Sequence, residues 1–399
     1  MQSKSAASSD TGRVRDQNED AHLANDDLGF YVVCDGMGGH VGGEIASKMA
    51  VDICERVVSS HAKLLEDVRE GLVPEDRLLG IARESIEAAC AEIFKAAMEG
   101  KPEHRGMGCT MTLVILGARR AAMAHVGDTR LYLVRNARTH LLSTDHTMAA
   151  ALAQMGTLSW DAVPGHTLSH TLLRAVGIQP TVQVDTLLFD IADGDKLVLC
   201  SDGLTEYIDD PQELSDEIET DEVAEAASSL VELALEAGGG DNVTAMVVRL
   251  GGAKPGSPKP DRKHELDVMR QSYLFHGTTF ATRTRILGHC EVERYAAGDT
   301  AVGEGASCDV MPLVVEGALG VEGTDCTFGP GDLVGETMLL KERPARAKLT
   351  ALTDARVIAL SHRQWLRLSR RHPWLGVRLL ERIATRMSER WMTGEQPAI

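Results

Sequence analysis

The chain has 399 residues, 43% of them hydrophobic and only 4% aromatic, and a formal net charge of −18. That length exceeds one ordinary domain and predicts two, each with an aliphatic core. The charge is uneven: residues 1–250 carry 20 Lys+Arg against 41 Asp+Glu, a net of −21, whereas residues 263–399 carry 18 against 17. An acidic first module suits divalent cations or basic partners and excludes nucleic acid as its natural ligand. The opening "MQSKSAASSD" lacks the apolar centre of a signal peptide, and no run long enough to span a membrane follows. Eight cysteines without a C-x-x-C pair lie mostly in apolar runs, the pattern of reduced buried thiols. These features predict a cytoplasmic protein that engages neither membrane nor nucleic acid.

In chain order, strand-like runs fall at 30–34 ("FYVVC"), 112–116, 121–126, 130–134, 196–200 and 243–250. Helical periodicity covers 43–60, about 75–99 and 221–237. Strands interspersed with amphipathic helices predict an α+β sandwich, sheet inside and helices outside, over residues 1–250. "GGAKPGSPKP" then replaces apolar residues with Gly, Pro, Ser and Lys, so 251–262 reads as a linker. In the second module, 263–399, residues 264–288 read as helical. Short apolar segments broken by Gly-Asp, Gly-Glu and Pro-Gly turns across 290–361 predict a β-barrel or jelly roll. Residues 362–391 return to helix and carry Arg363, Arg367, Arg370, Arg371, Arg378, Arg382, Arg386 and Arg390. Acidic and apolar residues interleave with these arginines, which predicts a solvated helix face.

The first module repeats one local grammar: an apolar strand that stops at an acid followed by glycine. "FYVVCDGMGG" ends on Asp35-Gly36, and "DKLVLCSDGL" on Asp202-Gly203. "GGGDN" places Asp241 just before the run at 243, "GRVRDQNEDA" supplies adjacent Glu19 and Asp20, and "AHVGDTRLY" sets Asp128 in a tight turn. Each alone also fits a hairpin or a helix cap. Together they predict carboxylates at the strand ends of one sheet, converging on one rim. Such a cluster repels itself unless cations sit in it. Oxygen-only donors favour Mg²⁺ or Mn²⁺.

These segments, with "STDHT", resemble in order and approximate spacing the protein phosphatase 2C family of metal-dependent serine/threonine phosphatases, over about residues 8–250. The resemblance implies a four-layer α-β-β-α sandwich with a binuclear metal site at one end. Asp35 is similar to the carboxylate that bridges both metals and Gly36 to the backbone-carbonyl ligand. Asp202 and Asp241 look like the remaining ligands of one metal, and Glu19 and Asp20 like supports of the pair. Asp128 resembles the holder of a third, weaker metal in bacterial members. Arg15 is similar to the arginine that grips the substrate phosphate, a task suited to a bidentate guanidinium. The implied reaction is hydrolysis of phosphoserine or phosphothreonine in proteins by a metal-bridged hydroxide. By analogy, the expected substrates are the targets of a bacterial protein kinase or members of an anti-sigma regulatory pathway. Met37 stands where many eukaryotic members carry a candidate general-acid histidine, as in bacterial members. His40 is near in sequence, and His146, His166 and His170 lie in the segment 144–180, which resembles the family's mobile, substrate-facing flap.

Residues of about 274–391 resemble a cyclic nucleotide-binding domain, through "YAAGDTAVGEG", "VEGALGV" and "FGPGDLVGETMLL". Gly335 would open a short helix whose N–H groups meet the cyclic phosphate. Glu336 would hold the ribose hydroxyl, or is an exposed acid. The family's phosphate arginine falls at Ala345 here, with Arg346 one residue late, and on a strand one step reverses the facing. A bulge would restore it. Ala347 after Arg346 favours cAMP over cGMP. Without a nucleotide, the roll reads as a docking module or a dimer formed through its C-terminal helix. The chain as a whole then reads as a regulated phosphatase or, in the alternative, as a signalling scaffold that binds phosphoproteins and senses a ligand.

Overall fold

The computed structural model describes residues 1–38, 42–208, 210–220, 222–251, 262–341 and 343–393. Two compact units divide the chain, Met1–Lys259 and Pro260–Ile399.

The first unit runs β1 (Gln2–Asp10), β2 (Asp20–Asn25), β3 (Phe30–Met37), α1 (Gly42–Ser60), α2 (Ala62–Arg69), α3 (Leu78–Glu99), β4 (Gly108–Leu116), β5 (Arg120–Val126), β6 (Arg130–Arg135) and β7 (Arg138–Leu141). It continues through α4 (Met148–Gln154), β8 (Asp185–Asp190), β9 (Lys196–Cys200), α5 (Asp202–Thr205), α6 (Gln212–Glu217), α7 (Val223–Ala237) and β10 (Val243–Gly251). Two antiparallel five-stranded sheets result, ordered β1-β10-β9-β6-β7 and β2-β3-β4-β5-β8. α1 and α3 cover the second sheet. Small residues at helical spacing (Ala46, Ala50 and Cys54 on α1; Ala82, Ala89 and Cys90 on α3) join Phe30, Val32, Cys34 and Met111 in one core. α7 covers the first sheet through Ala226, Ala227, Leu230 and Ala234, packed with Val198, Cys200 and Val247.

Alternate residues of the same strands, Tyr31, Val33, Val114, Met123, Leu197, Leu199 and Met246, are also buried, so the strands are covered on both faces. The Tyr31 hydroxyl reaches Ser3 on β1 of the other sheet at 2.6 Å and the Asp26 carboxylate at 2.8 Å. The chain therefore builds helix, sheet, sheet, helix.

The second unit begins with α8 (Lys263–Gln271) and α9 (Phe280–Leu287), then β11 (Glu291–Tyr295), β12 (Thr300–Val302), β13 (Ser307–Cys308), β14 (Val310–Glu316) and β15 (Leu319–Val321). After them come β16 (Thr327–Phe328), β17 (Arg343–Pro344), β18 (Leu349–Ala351), β19 (Ala355–Ser361), α10 (His362–Arg371) and α11 (Pro373–Thr393). The strands form sheets β11-β19-β14 and β12-β18-β15-β16 and the pair β13-β17. One core lies inside the roll, around Val314, Leu319, Leu349 and Val357. Another joins Met311, Leu313 and Ile358 to Leu266, Ile286, Trp365, Leu375, Leu379 and Ile383 of the helices.

Several expectations need correction. The helical reading of 264–288 is two helices, because Ser272 is extended and Thr279 starts α9 as an N-cap, accepting from the Thr282 N–H. The reading of 362–391 is also two helices: Pro373 lacks the N–H that would continue α10. The arginines of α11 are not all solvated. Arg382 donates to the Leu274 carbonyl (2.8 Å), Arg386 lies over the Tyr273 ring, and Arg390 donates to Glu336 (2.6 Å). Spaced four apart, the three share the face turned toward the unit's own residues. Most of the linker reading at 251–262 falls outside the described residues.

Candidate active site

Asp35 does not end its strand. β3 runs on to Met37, and pairing sets Asp35 opposite Asp20 on β2 and opposite Thr110 on β4. Two carboxylates facing each other across an antiparallel pair repel. The remaining acids come from elsewhere. Asp128 sits in the turn between β5 and β6, Asp202 opens α5 just past β9, and Asp241 lies two residues before β10. β6, β9 and β10 belong to the other sheet, so the carboxylates converge from the ends of two sheets, not of one. Face-to-face packing of the sheets brings them together, which strand patterning alone does not reveal.

The resulting cavity, of about 670 Å³, is lined by Arg15, Glu19, Asp35, Gly36, Met37, Thr110, Asp128, His170, Leu172, Asp202 and Asp241, among others. Asp35, Asp128 and Asp202 each present a carboxylate oxygen within 4.8 Å of the others. Asp20 lies beneath, its Oδ2 accepting from Ser201 (2.7 Å) and Thr244 (2.6 Å), while its buried Oδ1 has no hydrogen-bond partner among the described residues. Burial, opposed by those two hydroxyls and aided by Asp202 and Asp241, pushes the Asp20 carboxyl up to about 7. Burial first, then neighbouring acids, pushes Asp35 and Asp128 well above the usual carboxylate range; burial also raises Asp202. An orphaned buried oxygen and a set of crowded oxygen donors fit hard divalent cations, which would replace protons as the neutralising charge.

The glycine after Asp35 has a steric cause. A Cβ on Gly36 would lie 2.2 Å from the Gly43 carbonyl oxygen and 2.6 Å from that of Glu19. The Gly36 N–H donates to the Glu19 carbonyl, and the Glu19 N–H donates to Asn242 Oδ1 (2.8 Å). Asn242 also donates to the Thr11 and Gln17 carbonyls, so it ties the segment carrying Arg15 and Glu19 to the rim. Arg15 is half-exposed and donates to Asp241 Oδ2 at 2.6 Å; that contact raises the guanidinium pKa further.

The histidines separate. His170 lines the cavity, its Nδ1 3.5 Å from Glu206 Oε1, and forms with Asp202 and Glu206 a second close group of ligand atoms. Glu206 belongs to no motif of its own, although it lies four residues after Asp202, one helical turn on. His166 shapes its own loop by accepting from the Leu168 N–H, and His146 is buried. His40 lies outside the described residues.

In the second unit, Gly335 adopts a left-handed conformation (φ 68°) before a short 3₁₀ turn, Glu336–Leu339. Glu336 is buried (3% exposed), not an exposed acid, and accepts the 2.6 Å bond from Arg390 of α11. Ala345 points into the roll's core, whereas Arg346 is exposed and Ala347 partly buried. No bulge turns Arg346 inward; Ala345 keeps the inward position because its N–H and carbonyl both bond to the 305–306 backbone.

A two-sheet sandwich whose rim gathers carboxylates around an open cavity defines a metal-site protein of the α-β-β-α kind. The family model for protein phosphatase 2C matches residues 12–233, and that for the cyclic nucleotide-binding domain matches 292–372. The chain belongs to the protein phosphatase 2C family. It is 34% identical over 245 residues to the serine/threonine protein phosphatase PstP of Mycobacterium tuberculosis, covering 61% of this chain and 44% of that protein. It is 33% identical over 246 residues to the serine/threonine phosphatase stp of Listeria monocytogenes, covering 60% of this chain and 92% of that one. A crystal structure of the PstP catalytic domain in complex with two manganese ions superposes with a TM-score of 0.53 at 30% identity, over 63% of this chain and 99% of the other. Among the described residues, no helix is long and apolar enough to cross a membrane.

Proposed function

We propose that residues 1–250 form a Mn²⁺- or Mg²⁺-dependent phosphatase acting on phosphoserine and phosphothreonine in proteins, and that residues 263–399 regulate it. The convergence of Asp35, Asp128 and Asp202 on one point of a cavity that Arg15 also lines carries this reading. Asp35, Asp202, Asp241 and the Gly36 carbonyl would hold two cations, with Glu19 and Asp20 supporting them and Asp128 serving a third position. Cations held there would supply water activation and charge neutralisation at the transferred phosphoryl oxygens. The protein's own part is placement. Arg15 offers a planar fork to the phosphate at the cavity mouth, and its bond to Asp241 fixes where that fork starts. Met37 lines the cavity without a transferable proton, and His170 is the imidazole among the described lining residues. Phosphate release from a phosphothreonine peptide by the full chain is expected in Mn²⁺ and is lost on chelation. A folded, metal-loaded chain that releases none would support the scaffold reading instead.

For regulation, the observations favour a protein contact over cAMP. The inward arginine is missing, and Glu336 is already bonded to Arg390. On α11, Val377 (65% exposed), Leu380, Ala384, Met387 and Trp391 (84% exposed) repeat at spacings of three and four on the outward side. Such a stripe would suit a helix that pairs with its own copy. Calorimetric titration of cAMP, then cGMP, into the full chain is expected to give no saturable heat. Sedimentation is expected to report a dimer that Leu380→Glu dissolves. Saturable heat at micromolar nucleotide would restore the nucleotide reading, and a monomeric wild type would remove the pairing.

A further inference from the structure

The segment 144–180 meets the rim at His170 and Leu172 and, beneath them, through the buried His146. The His146 N–H donates to the Gly127 carbonyl (2.7 Å), the Gly127 N–H donates back to His146 Nδ1 (3.1 Å), and the His146 carbonyl accepts from the Leu173 N–H (2.7 Å). Gly127 directly precedes Asp128. It has φ 110° and leaves no space for a side chain, since a Cβ there would lie 2.3 Å from Thr110 Cβ. The turn carrying Asp128 is thus pressed on Thr110 on one side and clamped by His146 on the other.

An Nδ1 that accepts a backbone N–H leaves the ring proton on Nε2. Nε2 faces Asp185 Oδ2 at 3.4 Å, and Asp185 Oδ1 accepts from Arg174 Nη1 at 3.0 Å; the same Nη1 lies 3.1 Å from Nε2. The His125 ring, itself bonded to Thr112 and to the Thr144 carbonyl, backs the imidazole at a centroid distance of 4.8 Å. Asp185 and Arg174, bonded to each other, pack against the Nε2 edge of the ring and hold its plane.

We propose that His146 is a positioning residue for Asp128, holding its turn where the carboxylate meets those of Asp35 and Asp202, with Asp185 and Arg174 fixing the imidazole. This rests on the reading of Asp128 as a ligand of a third, weaker cation. Because the His146 carbonyl also accepts from the Leu173 N–H, next to cavity-lining Leu172, the same residue joins the Asp128 turn to that stretch through its backbone.

The test is calorimetric titration of Mn²⁺ into the full chain and three variants. Asp128→Asn removes the weakest class of Mn²⁺ binding. His146→Gln, which lacks an acceptor at the Nδ1 position, weakens that class at least about tenfold and leaves the tighter classes unchanged. His146→Asn, whose amide oxygen falls near Nδ1, stays within about threefold of the wild type. If His146→Gln proves unfolded by circular dichroism, half-exposed Arg174→Gln takes its place and is expected to weaken the same class about threefold. Loss of the class in Asp128→Asn but not in His146→Gln (or in Arg174→Gln where it substitutes) overturns the positioning role and spares the reading of Asp128. Equal losses in His146→Gln and His146→Asn reduce His146 to bulk packing and also overturn it. A weakest class that is absent from the wild type, or untouched by Asp128→Asn, overturns the reading of Asp128 itself.

Discussion

Asp35→Asn is expected to lower hydrolysis of a phosphothreonine peptide at fixed Mn²⁺ at least a hundredfold, on the order of 3 kcal/mol of barrier. The substitution keeps the shape of the side chain and its place in β3, opposite Asp20 and Thr110. What it removes is the charge in the middle of the cluster, where Asp20, Asp202 and Asp128 all act on it. The same change relieves repulsion in the absence of metal, so the metal-free variant is expected to melt no lower than the wild type. Lost activity with retained or raised Tm separates a ligand from a structural residue. Activity that survived unchanged would remove Asp35 from the site.

The metal-free chain is expected to lose stability as pH rises from 5 to 8, the reverse of ordinary acid denaturation. Asp20, Asp35, Asp128 and Asp202 all have folded-state values raised above those of the unfolded chain. The folded state therefore binds more protons, and its stability falls wherever that excess is given up. For Asp20 the contribution is full below its unfolded value near 4 and is lost as pH passes through about 7. A shift of that size corresponds to about 4 kcal/mol, or roughly 10 °C in Tm for a domain of this length. Mn²⁺ displaces the same protons, so its stabilisation is expected to be larger at pH 8 than at pH 5. Thermal scans in chelator and in Mn²⁺ across this range check both signs. A melting temperature in chelator that stayed flat or rose would mean the cluster is already neutralised within the protein.

Asp35, Asp202 and Asp241 were readable because each sits where an apolar run meets glycine, a pattern local to a few residues. Their mutual arrangement was not, because it depends on how two sheets stack, and strand alternation is silent about that. β1 escaped notice since its residues, "QSKSAASSD", are polar and half-buried at a sheet edge; its place is set by pairing with β10, more than 200 residues later. Arg15 could be named but not its partner Asp241, and Glu206 went unremarked beside Asp202 although helical spacing pointed to it. The same limit applies in the roll. One-residue counting places Arg346 a step off the inward position that Ala345 holds, while the bond from Arg390 to Glu336 joins positions 54 apart and leaves no trace in local pattern.

Diffraction from crystals of the full chain grown with Mn²⁺, collected at the manganese edge, tests the metal assignment most directly. Two strong anomalous peaks are expected on either side of Asp35, within coordination distance of Asp202, Asp241 and the Gly36 carbonyl, with a weaker third peak at Asp128. An anomalous map without a peak among Asp35, Asp202 and Asp241, from crystals whose protein hydrolyses the phosphopeptide, would contradict it.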